Sequence, residues 1–261
     1  MNWGMKNRIS RIIKPKHGRC VMLAVDHGYF QGPTTGLSNL KRTVDPLLPY
    51  ADALMITRGA IRNWIEPTAD IPIILRVSGG QSILKELSNE TITTCIEDAI
   101  RINASAITCS VYVGGEFEKE TIENLSKLVD DGEKYGIPVL AVTDVGKDMV
   151  RDARYLGLAS RICVEIGAHI IKTYYTEDFG KVVEACGKVP VVIAGGKKLP
   201  ERDALQMAYN AISDGAVGVD MGRNIFQSDS PVGMIQAVQA IVHNRKSVDE
   251  AYGIYEQSKK L

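Results

Sequence analysis

Residues 189–219 contain the unit from which the chain is built: an apolar run Val189-Pro-Val-Val-Ile193, a polar turn Gly195-Gly-Lys-Lys198, a helical stretch over roughly 200–213, and a second apolar run Ala216-Val-Gly-Val219. A short run rich in β-branched residues, then glycines, then a longer amphipathic segment is a βα pattern. The same alternation extends back to the start of the chain. Its earlier apolar runs are Arg19-Cys-Val-Met-Leu-Ala-Val25, Ala51-Asp-Ala-Leu-Met-Ile56, Ile71-Pro-Ile-Ile-Leu75, Ala104-Ser-Ala-Ile-Thr-Cys109, Pro138-Val-Leu-Ala-Val142 and Ala168-His-Ile-Ile171. Between them, Ile122, Leu125 and Leu128 recur at spacings of three, with Val129 one further, and make one face of a helix within 120–131. Further helical patterns cover roughly 92–103, 148–166, 231–244 and 248–259. Eight strand-like runs, apolar enough to be covered on both faces and each followed by a helix-sized connection, predict a closed (β/α)8 TIM barrel. An open dinucleotide-binding sheet would stop near six strands. With no Pro/Ser-rich linker, residues 1–261 are expected to form a single α/β domain with a C-terminal helix extension.

Composition narrows the function. Lys and Arg total 31 and Asp and Glu total 31, so the basic excess usual in nucleic-acid or anionic-membrane binders is missing. The apolar runs are too short to span a bilayer, and Met1-Asn-Trp-Gly-Met-Lys6 lacks the apolar core of a secretion signal, which predicts a soluble cytoplasmic protein. Five dispersed cysteines without a CxxC pair suggest buried free thiols rather than disulfides or zinc, and the four histidines show no metal-binding spacing.

In such barrels chemistry sits at the C-terminal ends of the strands. Here those ends are polar: Asp26-His27-Gly28, Thr57-Arg58-Gly59, Arg76-Val-Ser78, Ser110-Val-Tyr112, Thr143-Asp144 with Lys147-Asp148, Lys172-Thr-Tyr-Tyr175, Gly195-Gly-Lys-Lys198 and Asp220-Met-Gly-Arg223-Asn224. Lys172 closes an apolar run, so it should point into the barrel mouth. Desolvation and a cation such as Lys147 or Arg223 would lower its pKa and free an amine to form a Schiff base with a ketone. The plain alternative is a lysine that reaches solvent or pairs with Asp26 or Asp144.

Gly195-Gly196 and Gly222-Arg223 form adjacent turns whose backbone N–H groups can approach an anion, with Arg223 adding a charge-assisted contact and a short helix near Asn224 aiming its positive end at the same point. The alternative is a pair of tight connections. Asp26 could orient or deprotonate a substrate hydroxyl, and His27 could carry a proton near neutral pH, though either could instead cap a loop. Asp144 or Asp148 could cap the next helix.

Five segments carry a resemblance: Met22-Leu-Ala-Val-Asp-His-Gly-Tyr-Phe-Gln-Gly-Pro-Thr-Thr-Gly36, Val145-Gly-Lys-Asp-Met-Val-Arg-Asp152, Ile170-Ile-Lys-Thr-Tyr-Tyr175, Val192-Ile-Ala-Gly-Gly-Lys-Lys-Leu-Pro-Glu-Arg202 and Gly218-Val-Asp-Met-Gly-Arg-Asn-Ile-Phe-Gln-Ser-Asp229. They resemble the class I, archaeal-type fructose-bisphosphate aldolase family, and within it a thiolase branch that acts in quorum-signal breakdown. The resemblance implies a Schiff-base lysine at Lys172, the strand-one aspartate at Asp26, and phosphate-binding turns at Gly195-Gly196 and Gly222-Arg223; beside these, the residue chemistry makes His27 a candidate catalytic residue and Lys147 a candidate cation of the substrate site. It also implies a phosphorylated ketone substrate, coenzyme A as co-substrate, no permanently bound cofactor or metal, and a homo-oligomer, a decamer being one form. The aldolases of the family carry a tyrosine acid/base in a Tyr-Pro-Arg-Gly pattern where this chain has Thr143-Asp-Val-Gly146. A threonine hydroxyl is a far poorer proton donor than a phenol, which favours the thiolase branch over sugar-phosphate aldol cleavage. A class I aldolase or transaldolase, and a non-catalytic sensor of phosphorylated metabolites, remain as alternatives.

Overall fold

Eight parallel strands close on themselves: β1 (Cys20–Ala24), β2 (Ala53–Thr57), β3 (Ile73–Arg76), β4 (Ala106–Val113), β5 (Val139–Val145), β6 (Ile170–Tyr174), β7 (Val191–Ala194) and β8 (Gly218–Met221). The computed structural model describes residues 1–260, and in it neighbours in the chain are neighbours in the barrel, with β8 pairing back onto β1 through Cys20 opposite Gly218. All eight strands are those expected from the apolar runs. Among the described residues no helix is long and apolar enough to cross a membrane.

Strand alternation divides the core into two shells. Outward residues such as Leu23, Ile56, Leu75 and Ile193 pack under the surrounding helices, while Met22, Met55, Ile74, Leu140, Ile170 and Val192 fill the lower barrel. Ile12 joins that inner shell from beneath. It ends the helix Trp3–Ile12, whose first turn is capped by Asn2 accepting from the Met5 N–H at 2.9 Å. Sequence reading gave no helix here. Its fully buried Ile12 closes the bottom of the barrel, a burial worth about 2 kcal/mol.

Two expected helices are shorter than their patterns. The stretch 92–103 is divided: Glu90–Ile92 pairs antiparallel with Ser78–Gly80 as a small hairpin above β3, and only Ile96–Arg101 is helical. The pattern over 148–166 becomes a helix from Ala153 to Ile166, capped by Asp152, which accepts from the Tyr155 N–H at 2.9 Å. Asp144 and Asp148 therefore do not cap it; Asp144 is bound instead by Arg151. At the C-terminus, Val248–Ser258 packs against Pro231–Val242 and starts with a full capping box of Ser247 and Glu250. Four of the five cysteines are buried free thiols, and Cys95 is exposed.

Candidate active site

Above the apolar inner shell, a further step of two residues brings a polar group inward on several strands, while β5 and β7 place Val142 and Ala194 there. Ala24 on β1 leads to Asp26, Ile74 on β3 to Arg76, and Ile170 on β6 to Lys172 and then Tyr174; on β8, Gly218 leads to Asp220 and Gly222. These groups line one cavity of about 110 Å³ at the C-terminal mouth, together with His27, Ser110, Tyr112, Gly195, Gly196 and Arg223. Of the expected site residues, Lys147 alone is placed elsewhere. It is exposed and lines a neighbouring pocket.

Lys172 is 7% exposed and sits deep in this cavity. Its Nζ lies 2.9 Å from Asp220 Oδ2 and 3.5 Å from Met55 Sδ. The partner is thus neither Asp26 nor Asp144, the two weighed from sequence. Asp220 is almost wholly buried, its Oδ1 has no hydrogen-bond partner, and burial pushes its carboxyl up, with Lys172 opposing that push. Lys172 and Asp220 are therefore a close, buried pair of opposite charges.

Asp26 has a different partner. The Nε of Arg76 donates to its Oδ2 at 2.9 Å, and Nη1 of Arg76 donates to Ser110 Oγ at 2.9 Å. Burial would raise Asp26, but Arg76, Lys172 and His27 outweigh it and hold the carboxyl down at about 2. Asp26 is therefore an anion at working pH, able to orient a hydroxyl or accept a proton. The hairpin supplies Glu90 to the same network: it accepts from Tyr29 Oη and from Ser78 Oγ, each at 2.5 Å.

His27 lines the cavity, but burial lowers it, and Lys172, Arg223 and Arg76 add to that effect, leaving it at about 4 despite the neighbouring Asp26. It is a neutral imidazole at pH 7, available to accept a proton rather than poised to give one. We expect a histidine NMR titration of the free protein to place His27 at about 4 instead of the ordinary 6.5. A midpoint above 6 would restore the proton-donor role that sequence suggested.

The two glycine turns meet as expected. Arg223 Nη2 donates to the Gly196 carbonyl at 2.8 Å, and Asn224 Nδ2 donates to the Gly195 carbonyl at 2.6 Å, so the second turn clamps the first. Gly196 has φ +65°, the left-handed region that favours glycine. At Gly222 a Cβ would lie 2.3 Å from the Ala24 carbonyl oxygen and 2.6 Å from the His27 ring, so only glycine lets the backbone pass. The helix that follows has four residues, Arg223–Phe226, too short for its dipole to matter. What an anion would meet here is the N–H groups of the turns and Arg223.

Thr143, which the resemblance sets against the tyrosine of the aldolases, faces out of the barrel, its Oγ1 3.4 Å from Ser160 Oγ on the Ala153–Ile166 helix. It is not a proton donor to the cavity. Phenols are nevertheless present. Tyr112 and Tyr174 line the cavity, and burial pushes both up, so they stay protonated. Tyr174 is covered on one face by Arg151, 4.1 Å from its ring centre.

A family model described as DeoC/LacD family aldolase matches residues 20–228. The chain belongs to the DeoC/LacD aldolase family. A 3-hydroxy-5-phosphonooxypentane-2,4-dione thiolase of Escherichia coli (strain K12) is 56% identical over 261 residues, covering 100% of this chain and 89% of its own. The protein of that name from Photorhabdus laumondii is 54% identical over the same span and shares. Among solved structures, an archaeal fructose 1,6-bisphosphate aldolase superposes with a TM-score of 0.81 at 28% identity, over 92% of this chain and 99% of that one. A further archaeal fructose-1,6-bisphosphate aldolase, whose catalytic lysine is covalently bound to the carbinolamine intermediate of its substrate, gives 0.80 at 27% identity, over 91% and 99%.

Proposed function

We propose that this member of the aldolase family is a thiolase that cleaves 3-hydroxy-5-phosphonooxypentane-2,4-dione with coenzyme A, giving acetyl-CoA and dihydroxyacetone phosphate, in the cytoplasmic breakdown of the signal autoinducer-2. Its names in relatives above 50% identity support the reading. The observation that carries the chemistry is the buried Lys172, paired at 2.9 Å with a carboxylate that burial inclines to take up a proton.

In this reading the phosphate rests against Gly195, Gly196, Gly222 and Arg223, remote from the reacting bond, and fixes the substrate's orientation. Lys172 passes its proton to Asp220 and attacks the carbonyl next to the phosphate-bearing carbon; water leaves and an imine forms. The thiolate of coenzyme A adds to the acetyl carbonyl. The bond between that carbon and the hydroxyl-bearing carbon breaks, and its electron pair is drawn into the imine as an enamine. Acetyl-CoA departs. The enamine carbon takes a proton from a water held by Asp26 or from one of the phenols Tyr112 and Tyr174, and water hydrolyses the imine to release dihydroxyacetone phosphate and the free lysine. Arg76 holds Asp26 in place throughout, and neutral His27 can accept and relay protons but does not begin as the acid.

Tyr112 and Tyr174 also favour the sugar-phosphate aldolase alternative more than the sequence did, because they return protonated phenols to the cavity. Coenzyme A dependence separates the two. Incubation of the phosphorylated diketone with the protein should form acetyl-CoA only when coenzyme A is added. Cleavage of fructose bisphosphate at a comparable rate without it would favour the aldolase. Binding of dihydroxyacetone phosphate with no turnover of either compound would leave the sensor.

A further inference from the structure

In the thiolase reading the phosphate rests against the turns after β7 and β8 and the imine carbonyl against Lys172 on β6, so a substrate extended around the mouth carries its acetyl end toward β5 and β4. On that side lies a second pocket, of about 410 Å³, within the range of cofactor sites. Tyr112 lines both this pocket and the central cavity, so the two adjoin at its ring.

The walls of this pocket are two loops. One joins the strands of the hairpin and contributes Ile83, Lys85, Glu86 and Leu87; the other follows β5 and contributes Lys147 and Met149. The second loop is held by close backbone contact: a Cβ on Gly146 would lie 2.2 Å from the Gly114 carbonyl oxygen, and Gly114 itself adopts φ +76°. Among the described residues neither Lys85 nor Lys147 has a carboxylate within ion-pair distance, whereas the pocket's third cation, Arg151, is held by Asp144 in two hydrogen bonds of 2.8 and 2.6 Å. The same loops also expose large aliphatic side chains, Ile83 at 57%, Leu84 at 85% and Val150 at 68%. Two ammonium groups outside ion-pair contact outnumber the one carboxylate beside them, Glu86, which accepts from the Ser88 N–H and hydroxyl and feels the charge of Lys147. With exposed apolar surface next to them, they match a ligand that joins an apolar arm to several phosphates.

We infer that this pocket binds coenzyme A, with the pantetheine arm over Ile83, Leu87 and Met149, the thiol passing Tyr112 toward Lys172, and Lys85 and Lys147 on the nucleotide phosphates. The inference rests on the thiolase reading above. It gives Lys147 the phosphates of the acceptor in place of those of the ketone. The apolar groove on the opposite side, near Tyr29 and Trp64, opens beside β1 and β2, has no lysine in its lining, and lies away from the acetyl end.

Charge reversal at both lysines tests this. For Lys85→Glu with Lys147→Glu, KM for coenzyme A should rise at least about tenfold, from the loss and inversion of charge-assisted contacts. KM for pantetheine, which has the same thiol and no phosphates, should stay within about twofold. Borohydride trapping of the phosphorylated ketone on Lys172 should match wild type, which shows that the barrel is intact. An unchanged KM for coenzyme A in the double variant overturns the site, provided wild type makes acetyl-CoA; if wild type makes none, the thiolase reading itself falls. A measurement without variants is amine acylation of wild type: coenzyme A should protect Lys85 and Lys147 severalfold. Protection confined to other lysines, or none, also overturns the assignment.

Discussion

Lys172→Met abolishes acetyl-CoA formation, by at least about 10⁴-fold in turnover, because no other amine lines the cavity among the described residues. The loss has two physical parts, which a second variant separates. Methionine removes the nucleophile and also removes the cation paired with the almost fully buried Asp220. Lys172→Arg restores a cation for Asp220 but cannot form an imine, since a guanidinium keeps its proton. Both variants should be equally inactive, while Lys172→Arg should remain folded even if Lys172→Met is impaired. Borohydride with the phosphorylated diketone should leave a reduced adduct on wild-type Lys172, located by peptide mass spectrometry, and none on either variant. Turnover retained by Lys172→Arg would remove the Schiff base from the mechanism.

Arg76→Leu has the largest expected effect on stability. The side chains of Arg76 and Asp26 are 6% and 7% exposed, so removing one partner leaves a buried carboxylate without its cation, a change that costs about 3–5 kcal/mol. The pH dependence identifies the cause. Asp26 is held at about 2 against an ordinary 3.8, so it contributes stability that is present above about pH 4 and is lost as the pH falls toward 2. Without Arg76, burial prevails and the carboxyl rises. The variant should therefore be weaker than wild type at neutral pH and should lose less of its remaining stability through the interval from pH 4 to 2. Urea unfolding at a series of pH values measures this. A uniform loss at every pH would mean that Arg76 acts by packing rather than by holding a charge.

Much of this site can be read from the chain, and what escapes reading does so for definable reasons. The eight strands were legible because a buried parallel strand is a compact apolar run. Lys172 was legible because a lysine at the end of such a run is out of place there. Asp220 and Arg76 are visible as polar strand ends, but their roles depend on partners that lie on other strands. The two-residue period carries the signal: along β8 and the residue after it, Gly218, Asp220 and Gly222 fall on one face and Val219 and Met221 on the other, which sets Asp220 inward on the layer of Lys172. The same count sends Thr143 outward and Tyr112 inward, which puts a phenol from the neighbouring strand in the cavity. Glu90 had no local signal at all. Its place depends on a three-residue strand pairing with Ser78–Gly80, a contact set by the fold and not by the pattern of residues around it.

The stopper formed by Ile12 makes the cylinder a blind shaft. In the thiolase reading, the ketone, the thiol and both products all share one doorway. A bulky acceptor standing at that doorway obstructs whatever sits below it, so traffic must be sequential: the ketone descends first, the thioester withdraws, and only then can the smaller phosphorylated product climb out.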